Sequence, residues 1–265
     1  MLNLVSGSLA EDAGYQAAAD IAVVCADLGI EYRLIGGLAS ALIHAAHGAP
    51  GDVPPRQTAD ADLGADDLIV AAAGLKARLL AQGYRRSHGN RFVAGEGDAT
   101  RTIDVLVPAP GPRLLGNISC GPLVVDAIPG LRLAFAVEPL TLSLAVRLST
   151  GAPLVASVEV PQVIPALVLK AYAFAARITD RDLLDLWRLL ETAHALGLTS
   201  EDWRPIHAQK RDALPHLESL VLPAASVGAN IARRQRWPHP RIAALARAQI
   251  PHPAPGDSHR AAASD

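Results

Sequence analysis

Apolar residues at Ala17, Ile21, Val24, Cys25 and Leu28 recur at helical spacing behind the capping pattern Ser8-Leu9-Ala10-Glu11. The spacing predicts a helix over 9–28, closed by Gly29. Residues 32–35 then read as a short buried strand, Gly36-Gly37 as a tight turn and 38–47 as an alanine-rich helix. The segment 48–58 carries three prolines and two glycines, so it is a loop leading to the acidic strand Thr58-Ala59-Asp60-Ala61-Asp62-Leu63-Gly64. Asp66 and Asp67 open an amphipathic helix expected to run to about 82, where acidic residues complement the positive end of the dipole.

Residues 91–94 and 102–107 read as a hairpin, and the proline-rich run 108–112 breaks whatever precedes it. The apolar runs 123–126, 131–136, 141–148 and 154–160 suggest further strands or short buried segments. Near Pro161 the pattern changes to helices over 163–177 and 179–196, a second capping pattern at Thr199-Ser200-Glu201-Asp202, and more helix to about Gln249. The fold class expected is α/β in the α+β sense: a core over 1–160, a helical C-terminal lobe over 161–250, and a disordered tail over 251–265. No internal repeat is visible.

A hydrophobic content of 50% over 265 residues is ample for a core, and a charged fraction of 19% with net charge -2 excludes disorder for most of the chain. The charge is uneven. Residues 1–160 hold 11 basic and 16 acidic side chains, net -5, whereas 161–250 hold 12 and 8, net +4. That asymmetry suits cations held in one part and a polyanion in the other, and equally suits chance scatter. Cys25 and Cys120 are too few for a disulfide framework. The start lacks the pattern of a signal peptide, and the longest run without Asp, Glu, Lys or Arg, 34–51, is a poor membrane span. A cytoplasmic protein with no membrane partner is expected.

Chemistry concentrates on two strands and one glycine pair. Successive strand residues alternate faces, so Asp60 and Asp62 point the same way, about 6–7 Å apart at Cα. Asp104 sits in an otherwise apolar run, an expensive position for an unpaired charge. Two carboxylates with a third on a neighbouring strand suit Mg²⁺-dependent phosphoryl or nucleotidyl transfer, with Asp104 as metal ligand or proton acceptor. Gly36 and Gly37 let backbone approach a ligand, and the free N–H groups from Leu38 to Ser40 favour a phosphate. Lys170 and Arg177, seven apart, fall within ~20° of each other on one helix face. That cationic pair either faces the acidic strands or is a solvated face.

Read in order, Gly36-Gly37, Arg56-x-Thr58-x-Asp60-x-Asp62, Asp104, Lys170, Arg177 and Arg181-Asp182-x-x-Asp185 resemble the minimal nucleotidyltransferase superfold. Among its branches the chain is most similar to the AbiEii-type toxins of bacterial abortive-infection and toxin–antitoxin systems, over roughly residues 30–190. The resemblance implies a nucleotidyltransferase-type mixed sheet with flanking helices, an NTP substrate and Mg²⁺. It also implies nucleotide transfer to a hydroxyl acceptor, in some relatives transfer RNA, and a neutralising antitoxin partner. On that reading Asp60, Asp62 and Asp104 hold metal and Lys170 holds the triphosphate. Gly36, Gly37, Ser40, Arg56, Thr58, Arg177, Asp182 and Asp185 bind the nucleotide. Two departures stand out: Gly37 replaces a serine common among nucleotidyltransferases, and the linker from the glycines to the acidic pair is longer than in the smallest members.

Other readings compete. A small hydroxylated acceptor such as an antibiotic would use the same metal site, and a non-catalytic nucleotide- or partner-binding module would keep the fold without transfer. Asp182 also fits N3 of a capping box from Thr179, and Arg181 with Asp185 fits an intrahelical ion pair. His44 and His47 have no further ligands at zinc spacing and read as helix-surface histidines. Arg233-Arg234-Gln235-Arg236-Trp237 reads either as a nucleic-acid contact or as the cationic end of a helix.

Overall fold

Capping and chain reversal shape the first part of the fold, for which the computed structural model describes residues 1–49, 52–56, 58–72, 74–205 and 207–251 of the chain. A strand the sequence did not signal, β1 (Leu2–Val5), precedes α1 (Leu9–Leu28). The Ser8 hydroxyl accepts from the Glu11 N–H (3.2 Å), the Glu11 carboxylate accepts from the Gly7 N–H (2.7 Å), and Gly29 at φ +62° ends the helix. Strand β2 (Tyr32–Ile35) runs straight into α2 (Gly36–Ala46), so Gly36 and Gly37 are the helix's own first turn and not a turn before it. After β3 (Asp60–Ala65) the Asp66 carboxylate accepts from the Leu68 N–H (3.0 Å) and opens α3 (Asp67–Ala72). The single helix expected to 82 is interrupted: Gly74, left-handed at φ +70°, separates α3 from α4 (Leu75–Ala81).

Strands β4 (Arg85–His88), β5 (Arg91–Ala94) and β6 (Arg101–Pro108) follow, with β5 and β6 antiparallel as the hairpin reading expects. Next come β7 (Leu115–Cys120) and β8 (Leu123–Ile128). The apolar run 131–136 is not a strand. Gly130 at φ +89° turns it into the short helix α5 (Leu131–Phe135). Strands β9 (Leu140–Arg147) and β10 (Pro153–Val160) complete the sheets.

Two sheets result. In the larger, β6 is central: parallel to β3 on one side, and on the other antiparallel to β5 along its first half and parallel to β8 along its second. β2 flanks β3, β4 flanks β5 and β7 flanks β8. In the smaller sheet β9 lies between β1, parallel, and β10, antiparallel. Helices α6 (Val163–Arg177), α7 (Asp180–Ala195), α8 (Ala208–Val221), α9 (Val227–Gln235) and α10 (His239–Gln249) make up the rest. The capping pattern at Thr199 is present, the Thr199 N–H donating to Asp202 (2.7 Å), but it caps one 3-10 turn, Ser200–Trp203. The expected tail lies outside the described residues apart from Pro251. Among the described residues no helix is long and apolar enough to cross a membrane.

One face of the larger sheet, with Leu34, Leu63, Ile103 and Val105, packs under α1 and α2 in a core that continues into α6 and α7 through Leu167, Phe174, Leu183 and Trp187. The other face carries a smaller apolar cluster, Ile35, Leu131 and Ala134, with Leu106, Ile128 and Leu169 against it. Arg33, 1% exposed, ties α5 to that face. Its guanidinium donates to the carbonyls of Ala134 (3.1 Å), Val137 (3.1 Å) and Tyr32 (2.8 Å), pairs with Glu31 (3.0 Å), and stacks over Phe135.

Arg33→Met fills similar volume but leaves those carbonyls without a donor. At about 1–3 kcal/mol for each buried group left unsatisfied, a net loss of roughly 2–4 kcal/mol is expected in urea denaturation. A loss below about 0.5 kcal/mol, the range of ordinary surface substitutions, would show that Arg33 does not hold α5.

Candidate functional site

The parallel register of β3 and β6 sets Asp62 level with Asp104, so both carboxylates leave the sheet on the same face, one strand apart. Ile35, the last residue of β2, is the partner of Asp62 on its other side, and α2 starts immediately after it. Gly36 has φ +78°, and a Cβ built there would collide with the Asp62 carboxylate. Gly37 is constrained by a different group: a Cβ there would meet the Arg56 guanidinium. A side chain at position 37 would require the Arg56 guanidinium to move.

Gly36, Asp62, Asp104, Lys170 and Arg177 line one cavity of about 800 Å³. Its apolar wall is Ile35, Leu106, Ile128 and Leu169, and its far side reaches Asn90, Asp126 and His216. Lys170, buried, faces the acidic strands, whereas Arg177 lines the same cavity with its side chain 57% exposed to solvent.

The other expected residues stand elsewhere. Asp60 is exposed at the start of β3, opposite Thr102. The Thr58 hydroxyl is buried with no hydrogen-bond partner among the described residues. The Ser40 hydroxyl donates back to the Gly36 carbonyl (2.9 Å) and is turned from the cavity.

Arg56, Asp182 and Asp185 form a layer behind the cavity. The Asp185 carboxylate, wholly buried, pairs with Lys170 (2.7 Å), with Arg188 (3.4 Å) and closely with Arg56. It does not take Arg181, its expected partner four residues back; it turns inward to Lys170. Arg188 also donates to the Pro54 carbonyl, which pins the loop before β3 to α7. Asp182 receives both Arg177 nitrogens (2.6 and 3.1 Å) and the Thr179 hydroxyl (2.7 Å), while its own N–H donates to Thr179 (3.2 Å). It is cap and ion-pair partner at once. Burial works against the Asp182 carboxylate, but Arg177, Lys170 and Thr179 outweigh it and hold its pKa below the ordinary carboxylate range.

His44 is half-buried and not the helix-surface histidine expected. Its Nδ1 bonds to the Arg188 carbonyl (3.2 Å) and Thr192 (3.1 Å) between α2 and α7, and burial pushes its pKa down.

Two residues at the site escaped the sequence. Arg91, directly across β6 from Asp104, grips it with Nε (2.8 Å) and Nη2 (2.6 Å), and that bond pushes the Arg91 pKa up. Asp126 faces the cavity from β8, its carboxylate accepting from the Asn117 N–H (2.9 Å). The signal that singled out Asp104, a charge inside an apolar run, is present at Asp126 too.

The three carboxylates expected to share a metal are not gathered into one cage. Among the described residues no group of three or more His, Cys, Asp or Glu is arranged to hold an ion. Among the described residues neither Asp60 nor Asp62 makes an ion pair, and burial and its neighbour Asp104 raise the Asp62 pKa to about 6, against the opposing pull of Lys170. A Mg²⁺ ion carried by a triphosphate needs only one or two protein carboxylates, and the Asp62 and Asp104 pair fits that demand. No protein-family model and no curated protein matches the chain.

Because the folded chain keeps the Asp62 proton to about pH 6 against a normal 3.8, the folded state binds more protons within that window. Stability contributed by this group is therefore present at low pH and is lost as pH rises through about 4 to 6. In EDTA, Asp62→Asn is expected to be more stable than the natural chain near about pH 8 and to lose that advantage below about pH 4. Chemical denaturation across pH measures this. A variant no more stable at the alkaline end would mean that Asp62 is not electrostatically frustrated.

Proposed function

We propose that this chain is a Mg²⁺-dependent nucleotidyltransferase that moves a nucleoside monophosphate from an NTP to a hydroxyl acceptor. One observation carries the reading: Asp62 and Asp104 stand level on parallel strands at the start of a glycine-initiated helix, with Lys170 and Arg177 lining the same cavity. Carboxylates suited to a metal and cations suited to phosphate on one cavity support phosphoryl-transfer chemistry there.

Asp62 and Asp104 would hold Mg²⁺ together with the substrate's phosphates, and the ion would supply charge neutralisation and activation of the acceptor hydroxyl. The N-terminus of α2 offers N–H groups to the phosphates, and Gly36 leaves room for the Asp62 carboxylate beside them. Lys170, fixed by Asp185, and Arg177, fixed by Asp182, take up charge on the triphosphate. The acceptor oxygen bonds to the α-phosphorus and gives up its proton to water as the bond to the bridging oxygen breaks, and pyrophosphate leaves with the electron pair.

RNA, with transfer RNA foremost, is the acceptor this reading favours, supported by the resemblance to AbiEii-type toxins and by the basic balance of 161–250. An antitoxin partner belongs to the same reading. A second reading, a binding module without transfer, draws on the Arg91 grip that closes Asp104.

The test incubates the protein and its Asp62→Ala variant with each α-labelled NTP, Mg²⁺ and total bacterial RNA. Label on RNA is expected with the natural chain, reduced at least ~10³-fold in the variant. Lys170→Ala should lower transfer by about 10²-fold or more. RNA transfer should also fall steeply with added salt, whereas transfer to a small hydroxylated molecule should not. Binding of Mg²⁺–NTP without pyrophosphate release would instead establish the binding module.

A further inference from the structure

Arg91 closes the Asp104 carboxylate with both arms of its fork, Nε to Oδ1 at 2.8 Å and Nη2 to Oδ2 at 2.6 Å. Each oxygen of that carboxylate thus already accepts from the guanidinium, and the positive charge of Arg91 stands where it opposes a second cation. Unlike Lys170, whose side chain is 6% exposed, the Arg91 side chain is 36% exposed and lines the cavity. Its register opposite Asp104 on β6 fixes the backbone, while the three-carbon stem leaves the guanidinium free to turn towards Lys170 and Arg177 across the same space.

We infer that Arg91 is a triphosphate-binding residue stored on Asp104 until nucleotide arrives. The inference rests on the nucleotidyltransferase reading and adds a coupling to it. A planar guanidinium fork matches a phosphate as well as it matches a carboxylate, so Arg91 loses nothing in geometry by exchanging Asp104 for phosphate oxygens. The exchange conserves pairing: one Arg91–carboxylate contact is replaced by an Arg91–phosphate contact, and Asp104 is released to the divalent cation. Asp104 is closed to a cation that arrives without nucleotide, since no phosphate is then present to draw Arg91 away. Cation and nucleotide must therefore strengthen each other's binding, by the same factor in either order.

Mn²⁺ alone, followed by electron paramagnetic resonance, is the first probe. Arg91→Gln is expected to bind it about tenfold more tightly than the natural chain, because the competing cation has gone. The same variant should bind the α,β-methylene analogues of the four NTPs with Mg²⁺ about tenfold more weakly. Arg91→Lys, which keeps the charge without the fork, should fall between the two. In the natural chain the Arg91 Nε–H resonance should shift with Mg²⁺ and analogue together and stay still with Mg²⁺ alone, a readout that holds even if Arg91→Gln fails to fold. If the natural chain binds none of the analogues, the nucleotidyltransferase reading falls and this inference with it. If it binds them but Arg91→Gln leaves Mn²⁺ affinity unchanged or lower, or the resonance does not move, Arg91 is a fixed ion-pair partner and this inference alone is overturned.

Discussion

Like charges held one strand apart must be offset from somewhere, and that need organises much of this protein. The β3–β6 register makes Asp62 and Asp104 neighbours on a sheet face that also carries Ile35, Leu106 and Ile128, so water screens them poorly. Arg91 supplies one counterion from the adjacent strand, and helix α6 brings Lys170 and Arg177 over the other side. Gly36 yields its side chain so that Asp62 fits against the turn into α2. None of these features makes sense for a surface designed only to be stable, because replacing the pair with apolar residues would relieve the strain.

The layer behind the cavity follows from the same demand. Lys170 can face the carboxylates only if its own position is secured, and Asp185 secures it while also holding Arg56 and Arg188. Arg56 is an unusual neighbour for the positive end of a helix, where cations are disfavoured. Asp185 compensates locally, and an anion bound at α2 would benefit from the dipole, Arg56 and Lys170 together. Through Arg188 and the Pro54 carbonyl the network also reaches the loop that leads into β3. One buried carboxylate thus registers α6, α7 and the acidic strand with one another.

Local signals were legible wherever a short-range rule decides the outcome. The Ser8 and Thr179 caps, the Gly29 stop and the bounds of α6 needed no tertiary information. Asp60 and Asp62 stood out as paired carboxylates at strand spacing, Asp104 as a charge in an apolar run, and Lys170 as one of a cationic pair with Arg177 on one helix face. What was hidden depended on partners far along the chain. β4, Arg85-Arg86-Ser87-His88, has no alternating pattern because it is an edge strand exposed along most of its length. The run Leu131–Phe135 is equally apolar as helix or strand, and only Gly130 and the Arg33 contacts decide it. Arg91 looked like the polar start of a strand, since its role depends on the β5–β6 register and not on its own neighbours.

The strand at the beginning of the chain carries a kinetic consequence. β1 pairs Leu2 with Leu144 and Val5 with Arg147, and β9 in turn pairs with β10. During synthesis β1 has nothing to pair with until β9 emerges, after every strand of the larger sheet. Closing so long a loop is slow, and contacts of this kind form late. β1 is thus made well before its partner and fastened late, and until β9 emerges its unpaired edges are open to chaperones or to other nascent chains.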